Sequence, residues 1–233
     1  MSKHVLLTGF EPFGDHKVNP SELLVRSLEG RVIAGRLVAV RVFPVESRSL
    51  RDRIEAAIHE EEPEFVVGTG VAAGLPSLAL ERVAINMLDF SIPDNAGTQR
   101  KNDAIARGGP EARLSTLPLD QIVDGWKSGG IPGYVSNSAG TFLCNQWLYE
   151  TLSVTMNATP PVPVGFVHLP LLPGQASDAG AERTPSMTLD LMRKGIESLI
   201  ETVFSWIESR PASPTTKATG QMWIPRGIRE VER

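Results

Sequence analysis

An α/β fold with a largely parallel sheet is predicted by three observations. Short apolar runs end at Gly or Pro, amphipathic stretches lie between them, and the two alternate along the chain. His4–Thr8 (HVLLT), stopped by Gly9, reads as a buried parallel strand. The Pro- and Gly-punctuated loop Phe10–Pro20 leads to a helix starting near Ser21, with Leu23, Leu24 and Leu28 at helical spacing. Val32–Val45 reads as one longer strand, and Ser47–Glu61 as a charged helix with Leu50, Ile54, Ala57 and Ile58 on its apolar face. Phe65–Val71 is a further buried strand. Leu78–Met87 (LALERVAINM) is an apolar run broken by Glu81 and Arg82. A polar, loop-like stretch over Asp89–Arg113 follows, then a short helix over Leu119–Lys127, a strand at Tyr134–Ser136 and a turn into helix over Gly140–Leu152. Val162–Pro170 is another buried strand. The last helix is expected to open at Thr184-Pro185, with Thr184 as N-cap, and to bury Leu189, Met192, Ile196, Leu199, Ile200 and Val203. Beyond Arg210 periodicity is lost, so residues 1–210 read as one domain and 211–233 as a tail.

Composition narrows the function. The 233 residues are 41% hydrophobic and 21% charged, enough for a packed core. A formal charge of −4 argues against nucleic acid or an anionic membrane surface as partner. No apolar run approaches the roughly 20 residues of a membrane span, and MSKHVLLTGF is a poor signal peptide. A cytoplasmic location is the expectation. Cys144 is the only cysteine, which excludes an internal disulfide and a multi-cysteine zinc site.

In open α/β sheets ligands bind beyond the carboxyl ends of strands, which directs attention to three residues. Cys144 sits where a Gly- and Ser-rich turn passes into helix; there the positive end of the helix dipole favours thiolate, and small residues leave room for a carbonyl. A lone cysteine is equally a small core hydrophobe. His168, at the exit of a buried strand, is the best placed of four histidines, although it could be a hydrogen-bonded core residue. Glu81 is a carboxylate inside an apolar run, which is expensive without a partner. Pairing with Arg82, or an edge position, would satisfy it too. Together the three could form a nucleophile, a base and a group that orients the base.

Five segments resemble the pyroglutamyl peptidase I family, also called pyrrolidone-carboxylate peptidases. They are TGFEPFGDHKVNPS from Thr8, LERVAINMLDFSIPDNAG from Leu80, SNSAGTFLCNQWLYE from Ser136, GFVHLPLLPGQA from Gly165 and TPSMTL from Thr184. The resemblance implies a three-layer α/β/α sandwich around a mixed, largely parallel twisted sheet, without metal or cofactor. It implies a cytoplasmic homotetramer that removes N-terminal pyroglutamate from peptides. In that reading Cys144 is the nucleophile, His168 the base and Glu81 the orienting acid, while Phe10, Phe13, Asn19, Val71, Ile92 and Phe142 bind substrate. Two positions depart from the family: Val71 stands where members commonly carry Gln, and Ser91 where they often carry Arg.

Two alternatives remain at this level. Gly68, Gly70 and Gly74 in GTGVAAG follow an apolar run, as in a nucleotide-binding loop, although Pro76 and LALERVAIN stand where a phosphate-binding helix should begin. The other is a non-catalytic relative of the peptidase, with Val71 and Ser91 as marks of decay.

Overall fold

The structure is a computed structural model, and it describes residues 4–156, 158–178 and 184–210. The expected tail over 211–233 lies outside the described residues. Nine strands and six helices follow in chain order among those described: β1 (His4–Phe10), α1 (Pro20–Leu28), β2 (Val32–Ile33), β3 (Arg36–Phe43), α2 (Leu50–Glu61), β4 (Phe65–Val71), β5 (Leu78–Glu81), β6 (Val83–Ile85), β7 (Ala112–Leu114), α3 (Leu119–Ser128), β8 (Gly133–Ser136), α4 (Leu143–Thr155), β9 (Val164–Leu169), α5 (Pro173–Asp178) and α6 (Leu189–Ser209).

Seven strands form one sheet in the order β2-β3-β1-β4-β9-β5-β8, and β6 pairs with β7 in a separate ribbon. β3, β1, β4 and β9 run parallel, so they end on one edge. β5 runs antiparallel to β9, with Ala79 opposite His168, and β8 is parallel to β5. The sheet is therefore mixed and mostly parallel.

Strand alternation divides the core into two faces. Val5, Leu7, Val67, Leu80, Val167 and Leu169 point to the side covered by α1, α3 and α6, where Leu24, Trp126, Ile196 and Phe204 complete the cluster. Leu6, Phe10, Val66 and Phe166 point to the side of α2 and α4, where Ile54, Leu143 and Trp147 pack. Small residues let α4 sit close. A Cβ on Gly68 would come 2.5 Å from Phe166 and Trp147, so this glycine serves helix–sheet packing. The GTGVAAG segment is strand β4 and then a turn into β5, with no helix between them, so a phosphate-binding reading of its glycines has no support.

Several boundaries differ from the sequence expectation. Val32–Val45 is two strands, because Ala34 (φ 49°) and Gly35 (φ 75°) take the two left-handed positions of a tight hairpin turn. Leu78–Met87 splits at Arg82 into strands of different sheets. Leu23 is exposed, unlike Leu24 and Leu28. The final helix begins four residues later than predicted. Met187 N–H donates to Leu171 O (2.9 Å), which holds the chain before it extended, and Thr188 rather than Thr184 caps α6 through Leu191 N–H. α5 has no counterpart in the sequence reading.

Candidate active site

His168 lies near the carboxyl end of β9 and Glu81 at the end of β5. Because Ala79 is opposite His168 in an antiparallel pair, Glu81 is the diagonal neighbour of His168 on the same sheet face. Their side chains meet: Nδ1 of His168 is 2.8 Å from Oε1 of Glu81. Glu81 is 1% exposed, and its Oε2 has no partner among the described residues. Arg82 turns away to donate from Nε to Asn137 Oδ1 (2.9 Å). Glu81 thus pairs with the histidine and not with its neighbour.

The face that carries His168 and Glu81 is the one covered by α4. Cys144 is the second residue of that helix and is partly buried. Its sulfur interacts electrostatically with His168, and with Nδ1 committed to Glu81 the ring offers Nε2 to it. Burial disfavours the charged imidazole, but the Cys144 sulfur and then Glu81 outweigh it and push the ring up to about 10. The geometry describes an imidazolium held between a sulfur and a carboxylate. Among the described residues no side chain caps α4, whose N-cap is Phe142, so the first-turn N–H groups, Cys144's included, are donors without an intrahelical acceptor. Gly140, at φ 74°, turns the chain into this segment.

The sulfur opens on a cavity of about 120 Å³. Phe10, Phe13, Val45, Val71, Phe142 and Leu143 supply apolar walls, Asn19 and Thr141 neutral ones. Phe13 and Phe142 are 5.8 Å apart between ring centroids, and Phe90 braces Phe142 from behind at 4.6 Å. Both neutral polar side chains are engaged elsewhere. Asn19 accepts from Ser21 N–H (3.0 Å) and donates to Glu11 O (2.9 Å), while Thr141 donates to Asp89 O (2.8 Å). Among the described residues no Asp, Glu, Lys or Arg lines the cavity. Among the described residues, no group of three His, Cys, Asp or Glu is arranged to hold a metal ion.

The pyroglutamyl peptidase family model matches residues 3–205. The chain belongs to the pyroglutamyl peptidase family. It is 42% identical over 204 residues to the pyrrolidone-carboxylate peptidase of Coprothermobacter proteolyticus, covering 88% of this chain and 98% of the relative. It is 39% identical over 198 residues to the pyrrolidone-carboxylate peptidase of Thermococcus onnurineus, covering 85% and 97%. The crystal structure of pyrrolidone carboxyl peptidase from Pyrococcus furiosus superimposes with a TM-score of 0.85 at 35% identity, covering 88% of this chain and 99% of that one.

Within this pyroglutamyl peptidase fold, Glu81, His168 and Cys144 come together, and Phe10, Phe13, Asn19, Val71 and Phe142 line one cavity beside them. Phe10 belongs to the last position of β1, not to a loop. Asn19 both caps α1 and braces the loop at Glu11. Ile92 is placed differently. It is 41% exposed, is not one of the residues lining the cavity, and lies against Gly14, where a Cβ would be 3.6 Å from its Cδ1. Val45, Gly70, Ala139, Gly140, Thr141 and Leu143 line the cavity without having been singled out as substrate-binding. The 136–144 motif already contained four of these. Val45 carried no signal, being an ordinary residue at the end of an apolar run.

Proposed function

We propose that this chain removes N-terminal pyroglutamate through Cys144, His168 and Glu81. The observation that carries the substrate class is the aromatic-walled cavity beside the Cys144 sulfur, lined among the described residues by no Asp, Glu, Lys or Arg. Pyroglutamate is a neutral lactam with no ammonium. Burying an α-ammonium in a cavity without a carboxylate costs several kcal/mol. With the polar side chains of the wall already engaged, backbone N–H and C=O groups, those of Val71 among them, are left to read the lactam.

The Cys144 thiolate attacks the carbonyl that joins pyroglutamate to the next residue. The resulting oxyanion is received by first-turn N–H groups of α4. His168 then donates its proton to the departing amine, leaving a thioester on Cys144. The neutral ring next takes a proton from water, the hydroxide adds to the thioester, and pyroglutamate leaves as the thiolate is restored. Glu81 holds the ring through Nδ1 throughout.

Every residue in this scheme lies between Phe10 and His168, so the reading places the peptidase domain within 1–210 and makes no use of 211–233. A nucleophilic thiol and a single cysteine support a reducing, cytoplasmic setting. Among the described residues no helix is long and apolar enough to cross a membrane. A homotetramer, with no nucleic acid or membrane as partner, completes the proposal; light scattering of the purified protein tests the assembly.

The deciding experiment compares pyroglutamyl-, prolyl-, glutamyl- and glutaminyl-amides. Cleavage of the first alone is expected, with loss in Cys144→Ser and after iodoacetamide. Comparable cleavage of the prolyl and pyroglutamyl amides would overturn the substrate assignment, and substantial turnover by Cys144→Ser would overturn the nucleophile.

A further inference from the structure

Two of the apolar segments that line the cavity come from different strand exits. Phe10 ends β1, Phe13 lies in the turn after it beside Pro12, and Val45 follows β3. Neither exit belongs to regular structure. Pro12, Phe13 and Val45 lie on these loops, and both loops are bonded by one residue outside the cavity. Asn95 N–H donates to Val45 O (2.8 Å), and the Asn95 side-chain Nδ2 donates to Pro12 O (2.9 Å). One exposed asparagine thus bonds to both segments at once.

Asn95 is itself fixed. The carboxylate of Asp94, 5% exposed, accepts from Ala96 N–H (3.1 Å) and Thr98 N–H (2.8 Å) through Oδ1, which closes the turn that presents Asn95. Its Oδ2 accepts from Ser47 N–H (2.8 Å), two residues beyond Val45. Gln146 Nε2, on the helix that carries Cys144, donates to Ser47 O (2.8 Å). Burial alone would raise the Asp94 carboxyl, but these N–H donors hold it below the usual carboxylate range. Ile92, three residues before Asn95, packs beside Gly14 at the far end of the Phe13 loop.

We propose that Asn95 is a positioning residue for substrate specificity: by tying Pro12 and Val45 together it sets the separation of the walls that grip the lactam. The inference rests on the reading of this cavity as the pyroglutamate pocket. Asn95 touches neither the sulfur, the imidazole nor the cavity, so its loss loosens ring binding and leaves the chemistry in place. A lost hydrogen bond of this kind is worth about 1 to 1.5 kcal/mol, or roughly a tenfold change in an equilibrium constant.

The test uses Asn95→Ala and the isosteric Asn95→Asp, which keeps the volume but replaces the Nδ2 donor with an acceptor aimed at a carbonyl. Four quantities are read: KM and kcat for a pyroglutamyl amide, the rate of Cys144 alkylation by iodoacetamide, and protection from that alkylation by 2-pyrrolidone, a lactam with no scissile bond. In both variants KM and the protecting concentration of 2-pyrrolidone should rise in parallel by about tenfold, while kcat and the unprotected alkylation rate stay within about twofold. A merely structural role would lower kcat and alkylation as well. Unchanged KM and protection in either folded variant overturn the proposal, as does a fall in kcat at constant KM. If wild type neither cleaves the amide nor is protected by the lactam, the proposed function falls instead. Wild type doing both, with variants indistinguishable from it, would sink the Asn95 inference alone.

Discussion

Gly70 and Cys144 are in such close approach that a Cβ on Gly70 would stand 2.6 Å from the Cys144 sulfur and 3.0 Å from Phe166. The strand under the helix must be bare at that point for the thiol to lie over the sheet and reach His168. Gly70 has no positive φ, so its role is space and not backbone freedom.

Gly70→Ala should therefore fold yet misplace the nucleophile. Displacements of about 1 Å at a reacting group cost roughly a hundredfold in rate, and overpacking a core costs about 1–3 kcal/mol. A fall in kcat of at least tenfold is expected, with slower alkylation by iodoacetamide and unchanged circular dichroism. Gly174→Ala is the control, because nothing lies within 4 Å of a Cβ there. A Gly70→Ala enzyme with wild-type kcat would show that the sulfur does not need this position.

Glu81→Gln keeps the volume and an oxygen near Nδ1 but removes the charge that stabilises the imidazolium. Since the ring changes charge during the reaction, kcat should fall by about a hundredfold or more while KM changes less than about threefold. Steady-state kinetics on a pyroglutamyl amide measure both. Full activity in the variant would reduce Glu81 to a structural partner of the ring.

The sulfur is the largest influence holding the proton on His168, ahead of Glu81 and against the pull of burial. With the folded value raised to about 10, above the roughly 6.5 of a free ring, the imidazolium contributes stability that is complete below about pH 6.5 and lost as pH rises through about 10. The melting temperature should thus decline as pH 10 is approached. In Cys144→Ala the ring should titrate at lower pH, visible in its NMR resonances, and the alkaline decline should be shallower. An unchanged titration would mean that sulfur and ring do not interact.

How much of this was legible in the sequence depends on whether the determinant is local. Alternation of apolar runs and helices indicated the fold class, and the exit of β9 pointed to His168. What periodicity could not reveal was the direction of β5: only the antiparallel pairing with β9 makes Glu81 a diagonal neighbour of His168. The hairpin at Ala34-Gly35 was hidden because Ala at φ 49° carries no turn signature of its own. Thr184-Pro185 was a sound local start signal for a helix, yet the backbone bond from Met187 to Leu171 holds that segment extended. Asn95 escaped notice for a related reason: its partners are 50 and 83 residues away, and nothing in IPDNAG announces them.

Glu150, two turns along α4 from Cys144, gives a stability test away from the chemistry. Burial pushes its carboxyl up to about 7, although Gln146 and Arg51 pull it down, and Oε2 has no partner among the described residues. The folded value lies above the roughly 4.3 of a free Glu, so the folded protein holds the proton more tightly than the unfolded chain. Stability is then lost as pH rises from about 4.3 to about 7, and the full penalty for the charged form applies above that. Glu150→Gln removes the charge and keeps an acceptor for Gln146 Nε2, which now reaches Glu150 Oε1 at 3.3 Å. At pH 8 the variant should melt about 3 °C or more above wild type, taking about 2–4 °C per kcal/mol for a chain of this size. At pH 4 the two should melt within about 1 °C of each other, since Glu150 is then protonated in the folded wild type and largely protonated in the unfolded chain too. A gain of equal size at both pH values would show that the effect is packing and not the buried charge.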